Sequence, residues 1–266
     1  MTTAPGTPLS LTAAPLVKML IAQTRSEMLM RWRVPAFSVT NLILPIMFFT
    51  FFGLPVASLR SAEGVSIGAY LLASFGAYAV GNVMVYGFGI GVANERGMKV
   101  DRLMRASPLP PLVFMLAKVV TALAFALLSL VLLIGFGIVV GGIRETPLVW
   151  AIVIARLLAG SLPFIALGFA IGYWSGPHAA PAIANLIYLP LSFASGLFVP
   201  LSQLPEFIQN LAPFLPSYHY AQLAWSALGA GHEPLGVSLA WLAGYAALFL
   251  TLAVRSYRRE ERAKFA

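Results

Sequence analysis

Residues 111–140 read PLVFMLAKVVTALAFALLSLVLLIGFGIVV, thirty residues with one charge, Lys118. A membrane-crossing helix needs about 20 mostly apolar residues. A stretch this long exceeds that, and tilt or extension past the bilayer absorbs the excess. Five further stretches qualify on either side of it, at 34–56, 66–92, 147–174, 179–199 and 235–254. None alternates with the period of a membrane barrel strand. The expected fold is an all-α integral membrane protein with six transmembrane helices in a single domain, 1–266.

Composition agrees. Of 266 residues, 59% are apolar and 10% charged, and the mean hydropathy is +0.86. An ordinary soluble domain carries roughly 25% charged residues. A soluble globule and a disordered chain are excluded. The absence of cysteine removes a disulfide framework, a thiolate metal site and a cysteine nucleophile. His178, His219 and His232 are scattered, so no histidine metal cluster is expected.

The net charge of +8 has a topological reading. Fourteen of the 17 basic residues fall before the first span, between the second and third, at the start of the third, or after the sixth. Only Arg60 and Arg144 fall in the opposite loops, and Arg156 lies inside the fourth span. Lys and Arg favour the cytoplasmic side, so both termini are expected inside a cell (inner) membrane. No nucleic acid is needed to account for the charge. Before the first span, residues 10–33 mix Leu16, Met19, Leu20, Met28, Leu29 and Trp32 with Lys18, Arg25, Glu27 and Arg31. That mixture suits a helix lying on the membrane surface. It lacks the apolar core and cleavage site of a signal peptide. The tail, 255–266, is basic.

Two connecting segments carry more than topology. Residues 93–111 read ANERGMKVDRLMRASPLPP, with six charges between Glu95 and Arg105. Val100, Leu103 and Met104 fall on one face of a short helix, and Ser107-Pro108 stops it. The pattern suits docking onto a cytoplasmic partner, or else a solvated loop of topology charges. Residues 196–228 read GLFVPLSQLPEFIQNLAPFLPSYHYAQLAWSAL, without Lys or Arg and broken by four prolines. They are too interrupted to span and too apolar for a free loop. A pair of short helices at 200–230, dipping back into the outer leaflet, meets both conditions, since irregular backbone at membrane depth must be buried in protein.

At this point the chain resembles the permease subunits of type-2 ABC exporters. The shared features are a surface helix, six spans, a charged segment after the second span and a re-entrant pair before the sixth. In that family the charged segment is a coupling helix, here 94–107, that fits a cleft on the ATPase. Its pattern matches Glu95, Arg96, Gly97, Asp101, Leu103, Ser107 and Pro108, with Asn94 just before it. Met98-Lys99 stands where the family more often has a small hydroxyl residue. The chain has no Gly-Lys dipeptide and so no Walker A loop. The resemblance therefore implies a separate ABC ATPase in two copies, carrying the ATP and Mg, and a second permease copy, identical or paralogous. No catalytic residue and no metal ligand is expected in this chain.

Within the spans, Tyr70, Tyr78 and Tyr86 recur every eight residues, and Asn82 and Asn185 are mid-span amides. With Tyr188 they are candidates for a substrate pathway, or for contacts between helices. Arg156 is either a gate or substrate-anion contact, or a side chain that snorkels to the outer headgroups about 14 Å away by helix rise. Glycines four apart at 87/91, 137/141 and 168/172 permit close helix approach. The expected function is ATP-driven export of a drug, lipid or lipid-linked glycan. The alternative is a secondary transporter acting without an ATPase. That reading wants ionisable groups at the midplane, where only Arg156 is near.

Overall fold

A computed structural model of the chain describes residues 13–35, 39–60, 64–100 and 109–263. Among these the protein is helical, with one isolated backbone bridge between Arg60 and Ser66 and no strand. Helix α1 covers Ala13–Trp32. A helical stretch over 39–56 follows, built of π and 3-10 turns around a short α2, Leu44–Phe48. Then come α3 (Ile67–Gly97), α4 (Pro111–Val139), α5 (Pro147–Ala159) and α6 (Leu162–Trp174). The remainder is α7 (Ala180–Ala194), α8 (Glu206–Leu211), α9 (Pro216–Trp225) and α10 (Leu235–Ala263).

Helix α3 is the axis of the molecule. Ser66 caps it, its hydroxyl accepting the Ala69 N–H at 3.2 Å. Twenty-two of its 31 residues are buried, under α4, α6, α7, α9 and the 39–56 stretch. Small side chains make this possible. A Cβ on Gly168 of α6 would stand 2.8 Å from the Met84 carbonyl oxygen of α3, and one on Gly172 would stand 2.8 Å from the Val92 Cβ. The 168/172 pair is therefore the seam along which α6 meets α3. Gly137 of α4 serves likewise, with Leu72 at 2.5 Å from its would-be Cβ.

Four helical segments are long and apolar enough to cross a membrane: Ile67–Gly97, Pro111–Val139, Pro147–Trp174 and Leu235–Arg259. The apolar helices at 41–56 and 180–194 are shorter. The expected fourth span is broken in the middle, where Gly160-Ser161 separates α5 from α6 and Pro163 restarts the helix. The expected fifth span, 179–199, ends at Ala194. Ser195 and Gly196 turn the chain there, Gly196 at φ +79°. The helix holds 15 residues, about 22 Å by helix rise.

The proline-punctuated segment folds as its prolines direct. Pro205 precedes α8, and Pro216 opens α9 at a position where the missing N–H costs nothing. All ten residues of α9 are buried, among α3, α5, α7 and α10. Tyr220 donates its hydroxyl to the Leu157 carbonyl, and the Trp225 indole N–H donates to the Ser74 hydroxyl at 2.8 Å. His219 hydrogen-bonds the Pro213 carbonyl at 2.8 Å and stacks on Trp241. A decamer that carries Ser217, His219 and Gln222 is thus buried along its whole length.

Candidate functional site

Four charged side chains from the helices that flank the 98–110 connection meet one another. Glu27 and Arg31 project from α1, Glu95 from the last turns of α3, and Lys118 from the second turn of α4. Lys118 is 2% exposed and Glu27 3%. Lys118 Nζ lies 3.0 Å from Glu27 Oε1 and also pairs with Glu95. Glu27 Oε2 faces Arg31 Nε at 3.9 Å, and Arg31 Nη1 donates to the Gly87 carbonyl at 3.3 Å. Two acids and two bases thus join three helices in one buried, neutral cluster. Burial is the largest influence on the Arg31 guanidinium and lowers its pKa, opposed by Glu27 and Glu95. A guanidinium stays charged regardless.

This cluster explains how α1 lies. Glu27 turns to Lys118 of α4 and Arg31 to Gly87 of α3, while Lys18, Arg25, Val17, Ile21, Met28, Leu29 and Trp32 are exposed. A soluble amphipathic helix does not leave that many large apolar side chains exposed. Sequence reading counted Glu27 and Lys118 as loop and topology charges and did not pair them. Two signals pointed to the cluster. Glu27 and Arg31 stand four apart on one helix, and Lys118 is a lone cation seven residues into an apolar helix.

The charged segment itself begins differently from the expected helix over 94–107. Residues 94–97 are the last turn of α3, which Lys99 terminates at φ +57°. Arg96 donates to the carbonyls of Gly172 and Ser175, the latter at 3.1 Å, and lies over the Tyr173 ring. Gly97 lets the end of α3 reach the turn after α6: a Cβ there would meet Pro177 at 2.6 Å. Asn94 is exposed. Asp101, Leu103, Ser107 and Pro108 lie outside the described residues. The glutamate and arginine of the pattern therefore have partners inside the chain, and the pair fixes where the segment departs.

The candidate pathway residues come together at the α3–α7 contact. Tyr78 stacks on Tyr188 with centroids 5.6 Å apart, and the Tyr188 hydroxyl donates to the Tyr78 carbonyl at 2.9 Å. A Cβ on Gly81 would collide with that hydroxyl. Asn82 donates to Asn41 at 2.9 Å, whose carbonyl accepts from Ser129 at 2.9 Å. Tyr86 donates to the Asn185 side chain. Tyr78, Asn82 and Tyr188 are buried, Tyr86 is half-buried, and Asn185 is exposed.

Arg156 is half-buried and has partners inside the chain. Its Nη1 donates to the Ser226 hydroxyl at 2.8 Å and to the Leu223 carbonyl at 3.3 Å, at the C-terminal end of α9. That is where a helix leaves carbonyls without partners and where a cation is favoured. The guanidinium ties α5 to the end of α9, a contact that spacing within one helix does not reveal.

Comparison with known proteins follows the same lines. Residues 52–255 match the family described as ABC-2 family transporter protein. A protein named as a transport permease, YvfS of Bacillus subtilis (strain 168), is 28% identical over 245 residues, 92% of this chain and 99% of that protein. The inner membrane transport permease YhhJ of Escherichia coli (strain K12) is 26% identical over 190 residues. That match covers 64% of this chain and 46% of YhhJ, and a YhhJ of Shigella flexneri matches equally. Since the family match runs from the first apolar helix through most of the last, the chain belongs to the ABC-2 family of transporter proteins, as a multi-pass membrane permease.

Proposed function

We propose that the chain is the transmembrane permease subunit of an ATP-driven exporter. It moves a hydrophobic or amphipathic substrate, a drug, lipid or lipid-linked glycan, out of the cell. A separate ATPase, in two copies, binds the ATP and Mg and supplies the energy. Two permease copies, identical or paralogous, enclose the pathway. The chain crosses the inner membrane six times with both termini in the cytoplasm, the shorter helices at 41–56 and 180–194 completing the four long ones. The distribution of basic residues supports that orientation. The burial of α9, together with its bond to Arg156 about nine residues into the Pro147–Trp174 segment, supports re-entry of 200–230 from the outer side.

The observation that carries the reading is the ion cluster. A charged segment departs from α3 at Gly97 and returns at Pro111, where α4 begins. Both helices are fastened to α1 through Glu95, Lys118 and Glu27. Force applied to the segment therefore reaches three helices at once rather than bending a loop. Gly97, Asp101, Leu103, Ser107 and Pro108 engage the ATPase, while Asn94, Glu95 and Arg96 form the base that holds the segment. Tyr86 and Asn185 face the substrate pathway, with Tyr78, Asn82 and Tyr188 as their buried support.

Co-purification with the co-expressed ATPase tests this. Asp101→Lys should insert normally, because acidic residues contribute little to topology. Loss of a desolvated, partnered charge costs about 2–5 kcal/mol, roughly 30-fold or more in affinity. An exposed charge costs under about 1 kcal/mol. Undiminished association in Asp101→Lys removes this residue from the contact.

A further inference from the structure

At the end of the molecule opposite the ion cluster, a cavity of about 610 Å³ lies between the first helical stretch, the start of α3 and the segment after α7. That volume is in the range of small-molecule sites, roughly 300–1,000 Å³. Its wall is mostly apolar, with Phe52, Val56 and Leu71 from the helices and Phe198 from the segment after α7. That segment also contributes hydrogen-bonding groups, Gln203, Gln209, Tyr218 and His232. Among the described residues, no Asp, Glu, Lys or Arg lines it.

An aromatic wall stands ready. Tyr70 stacks on Trp225 with centroids 4.8 Å apart and planes 16° from parallel, and Tyr218 meets the same indole edge-on at 6.2 Å. The indole is fixed by its bond to Ser74 at 2.8 Å. Of these rings Tyr70 and Tyr218 line the cavity, with the buried Trp225 behind them, so a flat partner meets rings whose ordering is already complete. A ligand carrying a formal charge would leave water and meet no counter-charge among the described lining residues. A ligand with a hydrogen-bonding group can pair with Gln203, whose amide lines the cavity, while the Gln209 amide donates to the Leu204 carbonyl at 2.7 Å.

We propose that this cavity is a binding site for uncharged, amphipathic small molecules that carry a planar ring system and a hydrogen-bonding group. As the last stop before release, it rests on the export reading above; as a binding site, it does not.

The chain has no cysteine, so single cysteines report on the site directly. Gln203→Cys lies in the wall, and Asn210→Cys is exposed and outside it. In nanodiscs, both variants are labelled with a charged maleimide, with and without N-phenyl-1-naphthylamine, a neutral aromatic amine. Bound dye slows labelling by one plus the ratio of dye concentration to its Kd, about ten-fold at about ten times Kd. Slowing at position 203 but not at 210 is expected. The sulfonated counterpart, 8-anilino-1-naphthalenesulfonate, should not protect. Ala230→Trp or Val56→Trp, each filling the cavity, should abolish protection. Equal slowing at both positions, equal protection by the anionic dye, or full protection in a filled variant that assembles normally overturns the site. ATP-driven export of the neutral dye without protection at 203 also overturns the site and leaves the export reading standing. Protection at 203 without ATP-driven export overturns the export reading and leaves the site.

Discussion

Lys118→Met gives the ion cluster its severest test. The substitution keeps the side chain's length and removes its charge. Two carboxylates, Glu27 and Glu95, then lose the cation that both contact. Lys118 and Glu27 are 2% and 3% exposed, so water cannot replace it. Breaking a buried ion pair by removing one partner costs about 3–5 kcal/mol. At about 2–4 °C per kcal/mol for a chain of this size, thermal unfolding of the purified permease in detergent should fall by roughly 10 °C. The Coulomb interaction alone would give a larger figure, but desolvation of the lysine offsets much of it. The double variant Lys118→Met, Glu95→Gln, which leaves Glu27 paired with Arg31, should recover most of the loss, because matched neutral replacement within a buried ion group is often close to neutral. A Lys118→Met protein that unfolds at the wild-type temperature would refute the cluster as a fastening. So would a Lys118/Glu95 double-mutant cycle with coupling under about 0.5 kcal/mol.

Other consequences follow from single contacts. Arg156→Leu should destabilise the permease by about 1.5–3 kcal/mol, the value of hydrogen bonds to a charged group, and Arg156→Lys by less; equal unfolding temperatures in all three proteins would sever α5 from α9. Gly168→Ala should lower the folded fraction, since its Cβ meets backbone at 2.8 Å, at a cost of about 1–3 kcal/mol. Gly135→Ala, with nothing within 4 Å, should stay within about 0.5 kcal/mol. In intact cells, cysteine at Ser202 should label from outside, and cysteines at the exposed Lys99 and Arg258 only after permeabilisation; outside labelling at 258 would break the six-span arrangement.

Much of the architecture was legible because lengths and apolar content are local properties. The long helices at 67–97 and 111–139 lie where unbroken apolar runs put them. The breaks inside the 200–230 segment lie at its prolines, for the same local reason. Where each helix stops was harder to read. The 179–199 run stays apolar past Ala194, and what ends the helix is the turn at Ser195-Gly196, a matter of backbone rather than hydropathy. The ion cluster was least legible of all. Lys118 meets Glu27 across 91 positions and Glu95 across 23. No period in a single helix encodes such a pairing, so each residue read alone looks like a topology charge. Arg156 was hidden in the same way, its acceptors lying 67 and 70 positions further along.

The most direct test of the account is what drives transport. The permease is reconstituted into vesicles alone and with its ATPase, and export of N-phenyl-1-naphthylamine is followed by its fluorescence. One set of vesicles receives ATP and Mg, and another an imposed proton gradient. The account predicts flux only with ATPase and ATP together, unchanged when the gradient is collapsed. Gradient-driven flux through the permease alone would contradict it.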